Sequence, residues 1–114
     1  MLIEELIQDL KSNAKNVSFQ DVIDTVDSAY TFTETSFMNG DEKNEAGQNN
    51  GSCKILFFAH INELSEAQTL QCFGDYYRKD VLENPESSDH QNIRNFIKYG
   101  WKGVSFSGVV LSKK

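Results

Sequence analysis

The residue types that can serve as nucleophile and base are scarce in this chain: two cysteines and two histidines in 114 residues. Cys53 has the more suggestive setting. It follows NEAGQNNGS, residues 44–52, with three asparagines, a glutamine and two glycines, and it precedes the apolar run Ile55–Ile61. A thiol in the first turn of a helix is acidified by the helix dipole. Nucleophilic chemistry would also need a base and an oxyanion donor. His90, oriented by Asp89, or else His60, offers the base, and Gln48 offers the donor. One expectation is therefore a thiol hydrolase or transferase built on Cys53, His90 and Gln48. The plainer reading of a lone cysteine is a buried, inert core residue.

The same segment supports binding without covalent chemistry. Asn and Gly tolerate positive φ, and Ser52 is placed to cap a following helix. A helix start presents free N–H groups to an anion. Gly51 would let a ligand approach the backbone, and Lys54 would add charge. A second helix start is expected at Ser88 or Asp89. The predicted binding surface is Asn44, Glu45, Gln48, Asn49, Asn50, Gly51, Ser52 and Lys54, joined by Asp89, Asn92 and Arg94. Its ligand would be a protein or a small anion. The alternative is an ordered scaffold loop whose amides satisfy bent backbone. No phosphate-loop or dinucleotide spacing is present, and no cofactor is expected. His60, Glu63, Asp89 and His90 could converge on a metal, but HxxE at helical spacing is common and surface histidines are the simpler expectation. Cys53 and Cys72 form no CxxC pair, so no metal site is predicted.

Elements must hold these residues. Leu2, Ile3, Leu6, Ile7 and Leu10 recur at helical spacing, with acids opposite. Ser18 and Asp21 mark a second helix start ahead of Phe19, Val22, Ile23 and Val26. YTFTETSF, from Tyr30, alternates as a strand does. CKILFFAHI reads as a buried helix over residues 52–62. Ser65 with Gln68 forms a capping box for a helix carrying Ala67, Leu70, Phe73 and Tyr77, bent at Gly74 and ended by Pro85. Ile93, Phe96 and Ile97 face inward on the next helix, which closes at Gly100 with Trp101 folding back on Phe96. Val104 and Phe106 alternate with serines as a final strand. The fold class is α+β: one mostly helical domain, residues 1–114, with a small antiparallel sheet pairing strands near 30–37 and 103–109.

Bulk composition agrees with a single core, at 39% hydrophobic and 11% aromatic residues. The net charge of −6, with no basic run, opposes nucleic-acid binding. The N-terminal segment has no signal-peptide pattern and no stretch is long enough to span a bilayer. The few cysteines suit a reducing cytoplasm.

FMNGDEKNEAGQNNGSCK, LSEAQTLQCFGDYYRKDVL and DHQNIRNFIKYGWKGVSF, with YTFT before them, resemble the HopJ type III effector family over most of residues 30–107. The resemblance implies a bacterial protein and, for some members, delivery into a host cell by a type III system. It implies no particular reaction and carries no catalytic residues. The chain opens on an amphipathic helix at Leu2 rather than on a Ser-rich leader, which predicts a resident cytoplasmic role at least as readily as secretion. QNNGSC is also similar to the Gln-then-GSC approach of papain-like thiol proteases, with altered spacing and Lys54 where an aromatic residue is expected. The resulting expectation is a small non-enzymatic binding or adaptor domain, with the Cys53/His90 enzyme as the alternative.

Overall fold

A computed structural model describes residues 1–114. The helices are α1 (Ile3–Ser12), α2 (Phe19–Ala29), α3 (Asn50–Ile61), α4 (Glu66–Gln71) and α5 (Gln91–Tyr99), with a π-helical segment at Tyr76–Val81. The strands are β1 (Tyr30–Phe32), β2 (Phe37–Asn39), β3 (Glu42–Asn44), β4 (Val104–Phe106) and β5 (Leu111–Lys113). The architecture is α+β, as the hydrophobic periodicities predict.

The core gathers around α3. Cys53, Ile55, Leu56, Phe58 and Ala59 of this helix are all buried, so it is apolar nearly all round. Val22 and Val26 of α2, which packs on α3, and Leu6 and Leu10 of α1, which packs on α2, belong to the same cluster. Leu70, Phe73, Ile93 and Phe96 belong to it as well, with α4 packed between α3 and α5. Each large apolar side chain buried in this way contributes about 1.5–3 kcal/mol.

Local signals set several element ends. Ser18 Oγ accepts from the Asp21 N–H at 3.0 Å and starts α2. At α4 the capping box is complete: Gln68 N–H donates to Ser65 Oγ at 3.1 Å, and Ser65 N–H donates to Gln68 Oε1 at 3.0 Å. Trp101 does fold back on Phe96, ring centroids 4.9 Å apart. The helix from Ser65 stops earlier than its apolar stripe suggests. It ends at Gln71, turns through Gly74 at φ 61°, and resumes as the π-helical segment.

The strands form one twisted ribbon in two pieces. Tyr30 lies opposite Lys113 and Phe32 opposite Leu111; Phe37 lies opposite Phe106 and Asn39 opposite Val104. Single bonds carry the same register onward, from Thr33 N–H to Val110 O (2.9 Å), Ser107 N–H to Ser36 O (3.1 Å) and Gly40 N–H to Gly103 O (2.9 Å). Neither strand gains or loses a residue over this length. The inward-facing set nevertheless changes parity: Tyr30 is buried and Thr31 exposed, whereas Thr35, Phe37 and Asn39 are buried and Met38 exposed. Both strands therefore turn over near Glu34 and Gly108–Val109, where the ladder breaks. The predicted pairing of residues near 30–37 with those near 103–109 is present, and it extends to Lys113.

Residues 38–44, which follow the predicted strand and carry no strand pattern of their own, complete a hairpin with Phe37. In it β2 pairs β3 across the two-residue loop Gly40–Asp41. Gly40 has φ 61° and Asp41 does not share the positive φ, as a type II′ turn requires. The three-stranded sheet runs β3-β2-β4, and its hairpin leans on α5.

Candidate functional site

The hairpin, α3 and α5 are tied together by asparagines. Asn44 closes β3 and Asn92 lies in the first turn of α5. Asn92 Nδ2 donates to Asn44 Oδ1 at 2.9 Å, and Asn44 Nδ2 donates back to Asn92 Oδ1 at 3.2 Å. Asn49 Nδ2 joins from the start of α3, donating to Asn44 Oδ1 at 2.7 Å. Asn39 Nδ2 joins from β2, donating to Asn92 O at 2.7 Å and Asn92 Oδ1 at 3.0 Å. Asn39, Asn44 and Asn92 are buried. An amide carries both donor and acceptor, so amides can satisfy one another where no backbone ladder reaches. Gln48 works locally, with Oε1 accepting from Glu45 N–H at 3.1 Å.

This network fixes two helix starts beside each other. The residue before α3 is Asn49 (φ 53°, ψ 46°) and the residue before α5 is His90 (φ 50°, ψ 49°), both left-handed. Ser52 was expected to cap α3, and Ser88 or Asp89 to cap α5. No side chain caps either helix. The left-handed residue lies three positions before Ser52 at α3 and two positions after Ser88 at α5, and Asp89 instead binds Arg94. The first helical N–H bonds belong to Cys53 (to Asn49 O) and Arg94 (to His90 O). The N–H groups of Asn50, Gly51 and Ser52, and of Gln91, Asn92 and Ile93, precede those bonds and have no partner within the helix. A left-handed residue followed by right-handed ones also turns successive N–H groups toward one concavity.

Both starts open on one cleft of about 440 Å³, lined among others by Asn49, Gly51, Ser52, His90, Gln91 and Asn92. Glu42, Ile93 and the aromatic rings Phe19, Phe73 and Tyr76 complete it. Phe19 and Tyr76 meet edge to face with centroids 5.1 Å apart, and the His90 ring lies 5.2 Å from Tyr76. His90 Nε2 is 3.0 Å from Asp80 Oδ2 and 3.9 Å from Asp89 Oδ2. Tyr76 and Asp80 both project from the π-helical segment, a geometry frequent at functional sites.

The structure thus brings together Asn49, Gly51, Ser52, His90 and Asn92, drawn from both stretches singled out in the sequence. It does not bring in the cations expected to hold an anion. Lys54 Nζ lies 2.8 Å from Asp27 and 4.9 Å from the centre of the Phe32 ring. Arg94 is tied to Asp89 Oδ1 at 2.7 Å and also donates to Asp89 O and Pro85 O. That hydrogen bond from Arg94 holds the Asp89 carboxyl below the usual carboxylate range. Glu45 pairs with Lys43 at the surface, and Asn50 Nδ2 reaches Glu34 Oε2 at 3.3 Å.

The thiol site does not assemble. Cys53 is 1% exposed, and its Sγ contacts Thr35 O at 3.7 Å. Burial pushes its thiol up to about 11, so it is a neutral thiol at physiological pH. Neither Cys53 nor Gln48 lines the cleft that holds His90. The physical reason is register: the left-handed Asn49 begins α3 so that Cys53 points inward with Leu56, while Gly51 and Ser52 face the cleft. Phe19, Tyr76 and Asp80 were missed in the sequence reading. Each arrives from a distant element, and only the fold relates them to His90.

The family model described as HopJ type III effector protein matches residues 3–111. A solved crystal structure, described as that of the unknown function protein VPA0580, is similar over 100% of this chain and 95% of that one, with 42% sequence identity and a TM-score of 0.98. No curated protein matches the chain in sequence.

Proposed function

The chain belongs to the HopJ type III effector protein family, and from that premise we propose that it is a small ligand-binding domain whose working site is the cleft between the starts of α3 and α5. The observation that carries this reading is the convergence of two uncapped helix starts on one aromatic-walled concavity. Its size falls in the ordinary range for small-molecule sites, and such sites combine apolar walls with a few convergent polar groups. The free N–H groups and the positive ends of both helix dipoles select a small anion, such as a carboxylate or phosphate. Phe19, Phe73 and Tyr76 would take its apolar part. In this reading the protein acts through what it binds and not through a cysteine, whether it stays in the bacterial cytoplasm or is delivered by a type III system.

Ser52→Asp provides the test. A carboxylate in the first turn of α3 favours the helix by about 0.3–1 kcal/mol, yet it puts negative charge where the ligand's charge should sit. Titration calorimetry with phosphate, acetate and succinate should give binding to the parent protein and none to Ser52→Asp, with thermal stability unchanged or raised. Absence of binding by the parent protein, or equal binding by both, overturns the reading.

A further inference from the structure

We propose that His90 and Asp80 make this cleft a general-base site that hydrolyses small anionic esters. The inference rests on the ligand-binding reading above and adds a reaction to it. Asp80 Oδ2 stands 3.0 Å from His90 Nε2. A carboxylate at that position accepts a hydrogen bond from Nε2–H, and in the neutral ring that leaves the lone pair on Nδ1. No protein group hydrogen-bonds Nδ1; the ring's one such contact is through Nε2. The pairing of a base with an orienting carboxylate, in a cleft with free N–H donors, is the arrangement of general-base catalysis.

The backbone supports the assignment. His90 holds a left-handed conformation that is unfavourable for a residue with a Cβ. Glycine or asparagine would enter the helix more easily. The π-helical segment that carries Asp80 also carries Tyr76, whose ring backs the imidazole. The charged and titratable groups around the ring are Asp80, Asp89, Tyr76 and, across the cleft, Glu42; Arg94 is engaged by Asp89.

The step balances without a cofactor. Nδ1 takes a proton from water as the water oxygen bonds to the ester carbonyl carbon. The tetrahedral adduct collapses, the carbon–oxygen bond to the alcohol breaks, and His90 returns the proton to the departing oxygen. A carboxylic acid and an alcohol leave, and nothing is oxidised or reduced. His90 is the catalytic residue and Asp80 a positioning residue.

The chain carries its own control. His60, the other histidine, is exposed and stacks near Trp101 at 5.7 Å with no carboxylate in salt-bridge range. Hydrolysis of mono-4-nitrophenyl succinate, an activated ester with a free carboxylate, is measured for the full chain and for His90→Gly, Asp80→Asn, Asp80→Glu and His60→Gln. His90→Gly suits the left-handed backbone, so folding is retained. It should lower kcat by about a hundredfold or more, the usual contribution of general acid–base catalysis. Asp80→Asn should lower kcat with KM unchanged, Asp80→Glu should restore part of it, and His60→Gln should behave as the parent. Equal rates for His90→Gly and the parent, or equal losses in His90→Gly and His60→Gln, overturn the proposal. Succinate binding without turnover also overturns it and leaves the binding reading standing. Loss of both removes both.

Discussion

Asn44 and Asn92 stand 48 positions apart in sequence and donate to each other through both amides, at 3.2 and 2.9 Å. The pair joins the β-hairpin to α5, and Asn39 and Asn49 extend it to β2 and α3. Asn92→Ala would leave the buried Asn44 and Asn39 amides short of partners. Each unsatisfied group costs about 1–3 kcal/mol. We expect a loss of about 2–3 kcal/mol in urea unfolding, against under about 1 kcal/mol for Asn49→Gly, which removes one bond at an exposed residue and suits its left-handed backbone. Equal small losses for both would show that the network does not hold the site.

Gly74 sits between α4 and the π-helical segment. Its φ is 61°, and a Cβ there would lie 2.6 Å from the backbone nitrogen of Phe19. A flexible side chain could move aside, but the backbone at the start of α2 cannot. Gly74→Ala should therefore destabilise by about 2 kcal/mol or more, combining left-handed strain with a backbone clash. A midpoint within about 0.5 kcal/mol of the parent's would show that the junction is soft. The same substitution should move Phe19 and Tyr76, so ligand binding should weaken along with stability.

Much of this fold was legible because local signals and tertiary structure agree. The Ser18 and Ser65 caps, the apolar run of α3 and the Phe96–Trp101 contact each rest on a few neighbouring residues. The hairpin at Gly40 was missed although its turn signal is local, because EKN carries no strand-like apolar alternation: Asn44 is its buried residue and is polar. The parity change in the ribbon is written in YTFTETSF, where Tyr30 and Phe32 fall on even positions and Phe37 on an odd one. It was read through as one strand. Half of the cleft was legible as well, since Asn49, Gly51, Ser52 and Asn92 belong to stretches whose amides and glycines have few other uses. The thiol reading failed on a single helical register, which no local rule sets once Asn49 enters α3 left-handed.

Phe58 tests the centre of the core. It is fully buried on α3 and meets Tyr30 edge to face, centroids 6.4 Å apart. Phe58→Ala should cost about 3–5 kcal/mol, from lost transfer energy and the cavity left behind. The denaturant midpoint should drop accordingly with the slope unchanged.

The two thiols make a pH prediction. Burial raises Cys53 from 9.0 to about 11 and Cys72 from 9.0 to about 12. In the unfolded chain each thiol ionises near the lower value, so the unfolded state sheds its proton first as pH rises. The folded state binds more protons in that window, and stability falls with increasing pH. The thiol contribution is thus fully present below pH 9.0 and is lost between 9.0 and about 11 for Cys53, and up to about 12 for Cys72. Within its window each thiol contributes a slope of about 1.4 kcal/mol per pH unit. Lysines and tyrosines titrate there too, so the measurement is a difference: urea unfolding at pH 8 and pH 10.5 for the parent and for Cys53→Ala. The parent should lose more stability across that interval than the variant does, whatever the variant's starting point. In parallel, a thiol-specific disulfide reagent at pH 8 should modify neither cysteine until the protein unfolds. Rapid modification of Cys53 in the folded protein would show an accessible thiolate and would restore the nucleophile that the present geometry denies.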